Sequence, residues 1–194
     1  MGKRPLVRRR GRGGMQFRAA KTRKIAPTKY PVFVLSESRE GQIIDIIHES
    51  GRHAPLSKIR FDDGTISYVP AVIGSTVGSK VKFGLKSEIM DGNVISIQNI
   101  PDGTVVCNVE KQFGDGGSFI KSAGSSATVF SHGDEGVKLK LPSGKFTTLN
   151  PKNRAMIGSL AGGGANDRPL MRAGVAWRKF RSRGQKYPIV RGVA

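Results

Sequence analysis

The stretch Val137-Lys138-Leu139-Lys140-Leu141 alternates apolar and basic side chains without interruption, which is the clearest strand pattern in the chain. Pro142-Ser143-Gly144 follows, a run of residue types common in tight turns, and the chain continues as Lys145-Phe146-Thr147-Thr148-Leu149. Successive side chains of a strand point to opposite faces, so this pattern predicts a β-hairpin with one buried face.

The same kind of pattern recurs earlier in the chain. Residues 58–61 and 65–69 flank Asp63-Gly64, a dipeptide that favours a hairpin turn. Further strands are predicted at residues 42–48, 94–97 and 104–109. Short strands separated by turn residues, with no helical period, are typical of all-β barrels. We therefore predict an all-β protein of two small barrels in tandem, with a single larger barrel or sandwich as the alternative.

Composition sets the predicted domain boundaries. A basic N-terminal arm covers residues 1–30, a first barrel 31–98, a second barrel 99–158, and a tail rich in glycine and arginine 159–194, with a short helical turn around 167–173. The two ends have too few apolar residues to order themselves alone. Residues 1–29 and about 155–194 should therefore be protease-sensitive until a partner binds.

Charge is distributed very unevenly along the chain. The first thirty residues carry eleven lysines and arginines and no acid, and the last 44 carry ten against Asp167 alone. Residues 31–150 are nearly neutral, with twelve basic and thirteen acidic side chains. Such segregation favours a polyanionic partner, for which the phosphate backbone of a nucleic acid is the obvious candidate. The alternative, basic tails that only aid solubility, fits poorly because solubilising charge is usually mixed in sign.

Several other functions find no support in the sequence. Cys107 is the only cysteine, which excludes an internal disulfide, and its apolar neighbours predict a buried thiol. The three histidines are scattered, and no nucleophile lies beside a base, so we predict no enzyme, no cofactor, no protein-bound metal and no small-molecule substrate. No apolar stretch reaches the ~18 residues of a membrane span, and the N-terminus lacks a secretory apolar region, which predicts an intracellular protein.

The candidate nucleic-acid contacts are the basic residues of the two ends, because a guanidinium can bind a phosphate with two hydrogen bonds or stack on a base. In the arm they are Arg4, Arg8, Arg9, Arg10, Arg12, Arg18, Lys21, Arg23 and Lys24. In the tail, residues 177–183 combine Trp177 and Phe180 with Arg178, Lys179, Arg181 and Arg183. The two rings can stack on unpaired bases or pin the tail to the second barrel, and both interpretations stay open.

Longer strings resemble, in order, segments of the universal large-subunit ribosomal protein two family. They include Ile100-Pro101-Asp102-Gly103-Thr104, Lys121-Ser122-Ala123-Gly124 (the family has arginine first), Leu141-Pro142-Ser143-Gly144-Lys145-Phe146 and Tyr187-Pro188-Ile189-Val190-Arg191-Gly192-Val193-Ala194. Met1-Gly2-Lys3-Arg4 and Gly51-Arg52-His53-Ala54-Pro55-Leu56 look like the archaeal and eukaryotic branch. The match runs essentially from end to end.

The resemblance implies an OB-fold barrel followed by an SH3-like barrel, with both ends threaded into large-subunit rRNA. It also implies a role in subunit association and in organising the peptidyl-transferase region. By position it implies RNA contacts at Lys121, Ser122 and Arg154 on the second barrel, and at Arg168, Arg172, Trp177, Arg178 and Arg191 in the tail. The implied partners are large-subunit rRNA and neighbouring ribosomal proteins in the cytoplasmic ribosome, where any structural Mg²⁺ would belong to the rRNA.

One departure limits the comparison. Family members usually continue past the Arg-Gly-Val-Ala string into a loop rich in proline, histidine and glycine, and this sequence stops at Ala194. The resemblance therefore carries over nothing about that loop. A general nucleic-acid architectural protein is the second hypothesis, since basic arms on small barrels could serve one equally, and an RNA-processing enzyme is the third.

Overall fold

The computed structural model describes residues 9–22, 24–31, 38–84 and 87–189, and in these residues ten strands form one sheet. The strands are β1 Arg39–Ile47, β2 Leu56–Phe61, β3 Ile66–Pro70, β4 Lys80–Phe83, β5 Val94–Ser96, β6 Val105–Cys107, β7 Ala127–Gly133, β8 Gly136–Lys140, β9 Phe146–Leu149 and β10 Arg154–Ile157. Their order in the sheet is β3-β2-β1-β4-β5-β10-β6-β7-β8-β9. The all-β class predicted from the sequence is confirmed.

Both predicted hairpins are present. β2 pairs antiparallel with β3 through Ile59 and Ser67, and the connecting turn contains Gly64 at φ +80°. β8 pairs antiparallel with β9 through Lys140 and Phe146, with Gly144 at φ +82° in the turn. Positive φ is a conformation that glycine adopts without steric cost, which explains why these turn sequences were good predictors.

Strand β10 is not among the strands predicted from the sequence, although its residues lie within the predicted second barrel, 99–158. It pairs with β5 on one side, Ala155 opposite Ile95, and with β6 on the other, Met156 opposite Cys107. All four of its residues are buried. A strand buried on both faces has no alternation of polar and apolar residues, so its sequence carries little strand signal.

Two hydrophobic cores lie on opposite faces of the three strands β5, β10 and β6. Val94, Cys107 and Met156 belong to the first core, together with Tyr30 and Phe83. The alternate residues of the same strands belong to the second core: Ile95, Val106, Ala155 and Ile157, packed with Val129 and Leu139. Two cores with a shared wall agree with two small barrels in tandem. The sheet nevertheless continues across the predicted boundary between the barrels, at residues 98 and 99.

The chain divides into two compact units, Ile25–Ala165 and the combined segments Met1–Lys24 and Asn166–Ala194. We call the first the body and the second the basic unit. These limits differ from the predicted arm and tail. Tyr30, assigned to the arm, is buried in the body, and the fully buried Leu160, assigned to the tail, forms a bridge with Val72.

The helix of the tail also lies later than the predicted turn at 167–173. Helix α1 spans Ala173–Ser182. Its C-terminus is closed by Gly184, whose N–H donates to the carbonyl of Arg181 at 3.1 Å, and by Gln185, whose N–H donates to the carbonyl of Phe180 at 2.9 Å. This pair of bonds is the Schellman motif, and Gly184 takes the positive φ of +73° that the motif requires.

Candidate nucleic-acid interface

The cationic side chains are concentrated in one of the two units. The basic unit contains eighteen of the 33 lysines and arginines and a single one of the 14 acidic residues, Asp167. The body contains the other fifteen basic and thirteen acidic residues. The charge segregation seen along the sequence is thus also a segregation between structural units, which concentrates positive potential on the basic unit.

Helix α1 presents aromatic and cationic groups to solvent together. The guanidinium of Arg181 lies over the ring of Trp177, one turn earlier, with 4.8 Å between the guanidinium carbon and the ring centroid. Trp177 is 44% exposed, so much of its surface stays available to a ligand. Lys179 and Arg181 occupy the last turn, where cations interact favourably with the helix dipole.

Phe180 makes a different kind of contact. Its ring stacks on that of Tyr187 with 5.3 Å between centroids and 3° between planes, so the chain after α1 folds back on the helix. Both ring contacts, Trp177 with Arg181 and Phe180 with Tyr187, are made within the tail. Trp177 keeps an exposed ring, whereas Phe180 packs within the tail, and stacking of either ring on a base stays a prediction.

The N-terminal segment and the tail, predicted as separate ends, meet in the basic unit. Met15–Phe17 form a 3₁₀ turn, and Nε of Arg18 donates to the carbonyl of Gly13 at 2.8 Å. A Cβ at Gly184 would lie 2.7 Å from the backbone nitrogen of Ala19, an approach that only glycine permits. Beside this contact lies a cavity of about 330 Å³, whose lining includes Arg10, Phe17, Gly184 and Lys186.

Most of the predicted contact residues of the ends are exposed. The exposed ones are Arg9, Arg10, Arg12, Arg18, Lys21, Lys24, Arg168, Arg172, Trp177, Arg178, Arg181 and Arg183, and Lys179 is partly buried. Arg4, Arg8, Arg23 and Arg191 lie outside the described residues. The structure thus places one set of exposed cations from both ends of the chain in a single unit.

Lys121 and Ser122 lie in a groove of the body with a volume of about 540 Å³. The groove combines hydroxyl groups with an apolar side, and its lining is Ser118, Phe119, Ile120, Lys121, Ser122, Ser125, Leu141, Pro142 and Ser143. The ammonium of Lys121 donates to the carbonyls of Thr28 and Gly117, both at 2.8 Å. Burial, followed by the nearby charge of Arg52, lowers the pKa of Lys121.

Arg154 has an internal role. Its Nη2 and Nε lie 2.6 and 3.1 Å from Oε1 of Glu110, whose carboxylate is fully buried. Nη1 donates to the carbonyl of Pro31 at 3.1 Å, and the guanidinium lies 5.3 Å from the ring centroid of Tyr30. The pair therefore fastens residues 30–31 to the second half of the sheet. Whether Arg154 also touches RNA stays a prediction.

Sequence reasoning missed this cluster. Glu110 and Arg154 are 44 residues apart, and no local pattern pairs them. The tyrosine of the cluster donates its hydroxyl proton to the carbonyl of Asn108, and burial raises its pKa well above the usual value. A buried charge requires a partner, so the run Asn108-Val109-Glu110 next to an apolar strand was the one available signal.

The described part of the chain has neither a metal-binding cluster nor a membrane-spanning helix. It contains no group of three or more histidine, cysteine, aspartate or glutamate side chains arranged to hold a metal ion. It also contains no helix whose length and hydropathy would suit a membrane span. Fold and charge together define a basic all-β protein whose net positive charge is concentrated in one structural unit.

Comparison with known proteins narrows that class to one family. The family model described as Ribosomal Proteins L2, C-terminal domain, matches residues 90–194. The large ribosomal subunit protein uL2 of Cenarchaeum symbiosum is 74% identical over 194 residues, which is all of this chain and 80% of the relative. The uL2 proteins of Nitrosopumilus maritimus and Sulfolobus acidocaldarius are 70% and 42% identical, over 80% and 81% of their lengths and all of this chain.

The chain belongs to the uL2 family of large ribosomal subunit proteins. It is accordingly a structural constituent of the large ribosomal subunit and not an enzyme, so the RNA-processing alternative is set aside. The resemblance found in the sequence is confirmed.

Proposed function

We propose that the protein binds large-subunit rRNA through the exposed cations of its basic unit, with the groove around Lys121 and Ser122 as a further contact. In this proposal the body supplies a rigid fold that keeps the protein in register on the RNA, and the segments of the basic unit enter gaps between RNA helices. Family membership supports a wider proposed role. In it, the protein assists subunit association and helps to organise the peptidyl-transferase region of the cytoplasmic ribosome.

One observation carries the proposal: eighteen basic residues and one acidic residue share a unit that has a single buried residue, Ala176, among those described. Such a unit repels itself unless a polyanion neutralises it. Phosphate contacts by lysine and arginine position a protein on nucleic acid, whereas exposed rings and shape supply selectivity for RNA.

Filter binding tests the proposal. The full chain is titrated with large-subunit rRNA and with random duplex DNA at several salt concentrations. We expect tighter binding to the rRNA and a steep salt dependence, because a protein that neutralises six to ten phosphates loses about 10³–10⁵ in affinity between low and moderate salt. Equal affinity for the two nucleic acids would support a general architectural protein instead.

A pair of matched variants then locates the contact. Arg178, Arg181 and Arg183 are replaced by glutamine in one variant, and Arg60, Lys111 and Lys152 of the body in the other. Both lose three exposed charges. We expect the first to reduce the slope of log K against log salt by about 2, since each phosphate contact contributes about 0.7–0.9. Equal slopes for the two variants would mean that charge acts without regard to position.

A further inference from the structure

Two exposed aromatic side chains of the body meet on the outer face of strands β7 to β9. Phe130 on β7 and Phe146 on β9 are 57% and 54% exposed. Their rings meet edge to face, with 4.9 Å between centroids and 67° between planes. Contiguous exposed apolar patches, unlike single exposed apolar side chains, are typical of interaction surfaces.

Strand order and a β-bulge bring the two rings together. β8 lies between β7 and β9, and the two rings meet across it. The register of β7 on β8 shifts between Val129 and Ser131, so Phe130 is the extra residue of a β-bulge. A bulge re-aims a side chain relative to a regular strand, and here Phe130 contacts a residue two strands away.

The strand between the rings contributes charge to the same face. Along β8, Val137 and Leu139 are buried, whereas Lys138 and Lys140 are exposed. Lys140 lies directly opposite Phe146, and Lys138 lies opposite Thr148. Lys145 is also exposed in the turn before β9. The acids of this hairpin, Asp134 and Glu135, lie at its tip, beyond the Gly133–Gly136 pair and at the opposite end of β8 from Lys140 and Phe146.

We propose that Phe130 and Phe146, with Lys138 and Lys140 beside them, form a binding site for unpaired RNA bases. Open ring faces accept a stacked base of any identity, and adjacent ammonium groups neutralise the phosphates on either side of it. This inference rests on the proposed function, because it adds an RNA contact to those of the basic unit and of the groove around Lys121 and Ser122. The site takes single-stranded nucleotides, since a base inside a duplex has no face to offer.

A purely apolar protein partner suits the surface less well. Such a partner would bury Lys138 and Lys140 along with the rings, and burying unpaired ammonium groups is costly. An RNA strand instead uses both kinds of group. Lys138 and Lys140 therefore favour an RNA strand over an apolar protein as the ligand of this surface.

The test measures binding of the full chain to a 12-nucleotide unstructured RNA and to an RNA duplex of equal length. Phe130→Leu with Phe146→Leu keeps apolar bulk but removes both rings, whereas Phe130→Tyr with Phe146→Tyr keeps the rings. We expect the leucine variant to bind the single strand about tenfold more weakly, with duplex affinity unchanged, and the tyrosine variant to bind both as the wild type does. The measurement with the duplex controls for RNA binding by the basic unit.

A second measurement identifies the occupant in the ribosome. A photo-reactive phenylalanine analogue at position 146 is crosslinked in intact large subunits, and a crosslink to rRNA supports the site. A crosslink to protein, or a leucine variant that binds the single strand as tightly as the wild type, overturns it. If the proposed function is wrong, the result is a different one: the wild-type chain itself does not prefer large-subunit rRNA to duplex DNA.

Discussion

The body and the basic unit hold their structures by different means. The body buries apolar side chains in two cores that share strands β5, β10 and β6, and its charges nearly balance. The basic unit has one helix, Ala173–Ser182, and its contacts are ring stacking, a guanidinium over an indole and a Schellman motif. Burial stabilises the first without a ligand, whereas the second concentrates positive charge that repels itself.

The largest effect is expected where the body carries a charge in its interior. Arg154→Ala leaves the carboxylate of Glu110 buried without its partner, which destabilises the protein by about 3–5 kcal/mol. The free energy of unfolding in urea measures this. Lys80→Ala, which breaks an ion pair whose lysine is 74% exposed, is the matched control and should leave the urea midpoint unchanged. Similar results for the two variants would contradict an internal role for Arg154.

The sequence predicts the elements of the body that have local signals and misses those that depend on distant residues. The hairpins at Gly64 and Gly144 were predictable because glycine in a turn and alternation in the flanking strands are local signals. Strand β10 was not, since Arg154–Ile157 is buried on both faces and shows no alternation. Its position depends on β5 and β6, which are distant in the chain.

The site shows the same division. Composition alone predicted exposed cations at both ends of the chain, because lysine and arginine side chains are rarely buried. It did not predict that Phe17 and Gly184 would lie together, or that Phe130 would reach Phe146, since each depends on tertiary packing. The sequence predicts helix α1 too early because Gly174, Val175 and Trp177 are weak helix formers, and Gly184 is the stop signal that marks its true end.

The second prediction concerns cooperativity within the body. Leu139 is fully buried in the second core, and Leu139→Ala should destabilise the protein by about 2–5 kcal/mol. Because the cores share three strands, we expect the amide signal of Tyr30, in the first core, to disappear in the same urea transition as the circular dichroism of the whole chain. Two separate transitions in this variant would show that the cores unfold independently.

The third prediction uses limited proteolysis to compare the units. In free protein, trypsin should cut within the basic unit at least about tenfold faster than within the body, because local unfolding there exposes little apolar surface. The resistant fragment should approximate residues 25–165, instead of the 30–154 expected from the sequence. Mass spectrometry gives the ends of the fragment. Added rRNA should protect the basic unit, and equal cleavage with and without it would contradict neutralisation by RNA.

The smallest effect is expected at the one tryptophan, which reports on the basic unit alone. Trp177→Ala should weaken binding to single-stranded RNA by about fivefold, at the low end for loss of a stacked ring, because Arg181 remains to contact phosphate. Trp177→Phe keeps a ring and should recover most of the affinity. In the wild type, stacking should quench the fluorescence of Trp177 as RNA is added. Unchanged fluorescence at saturation would mean that the Trp177 ring only packs against Arg181. The cations of the basic unit would then bind RNA without it.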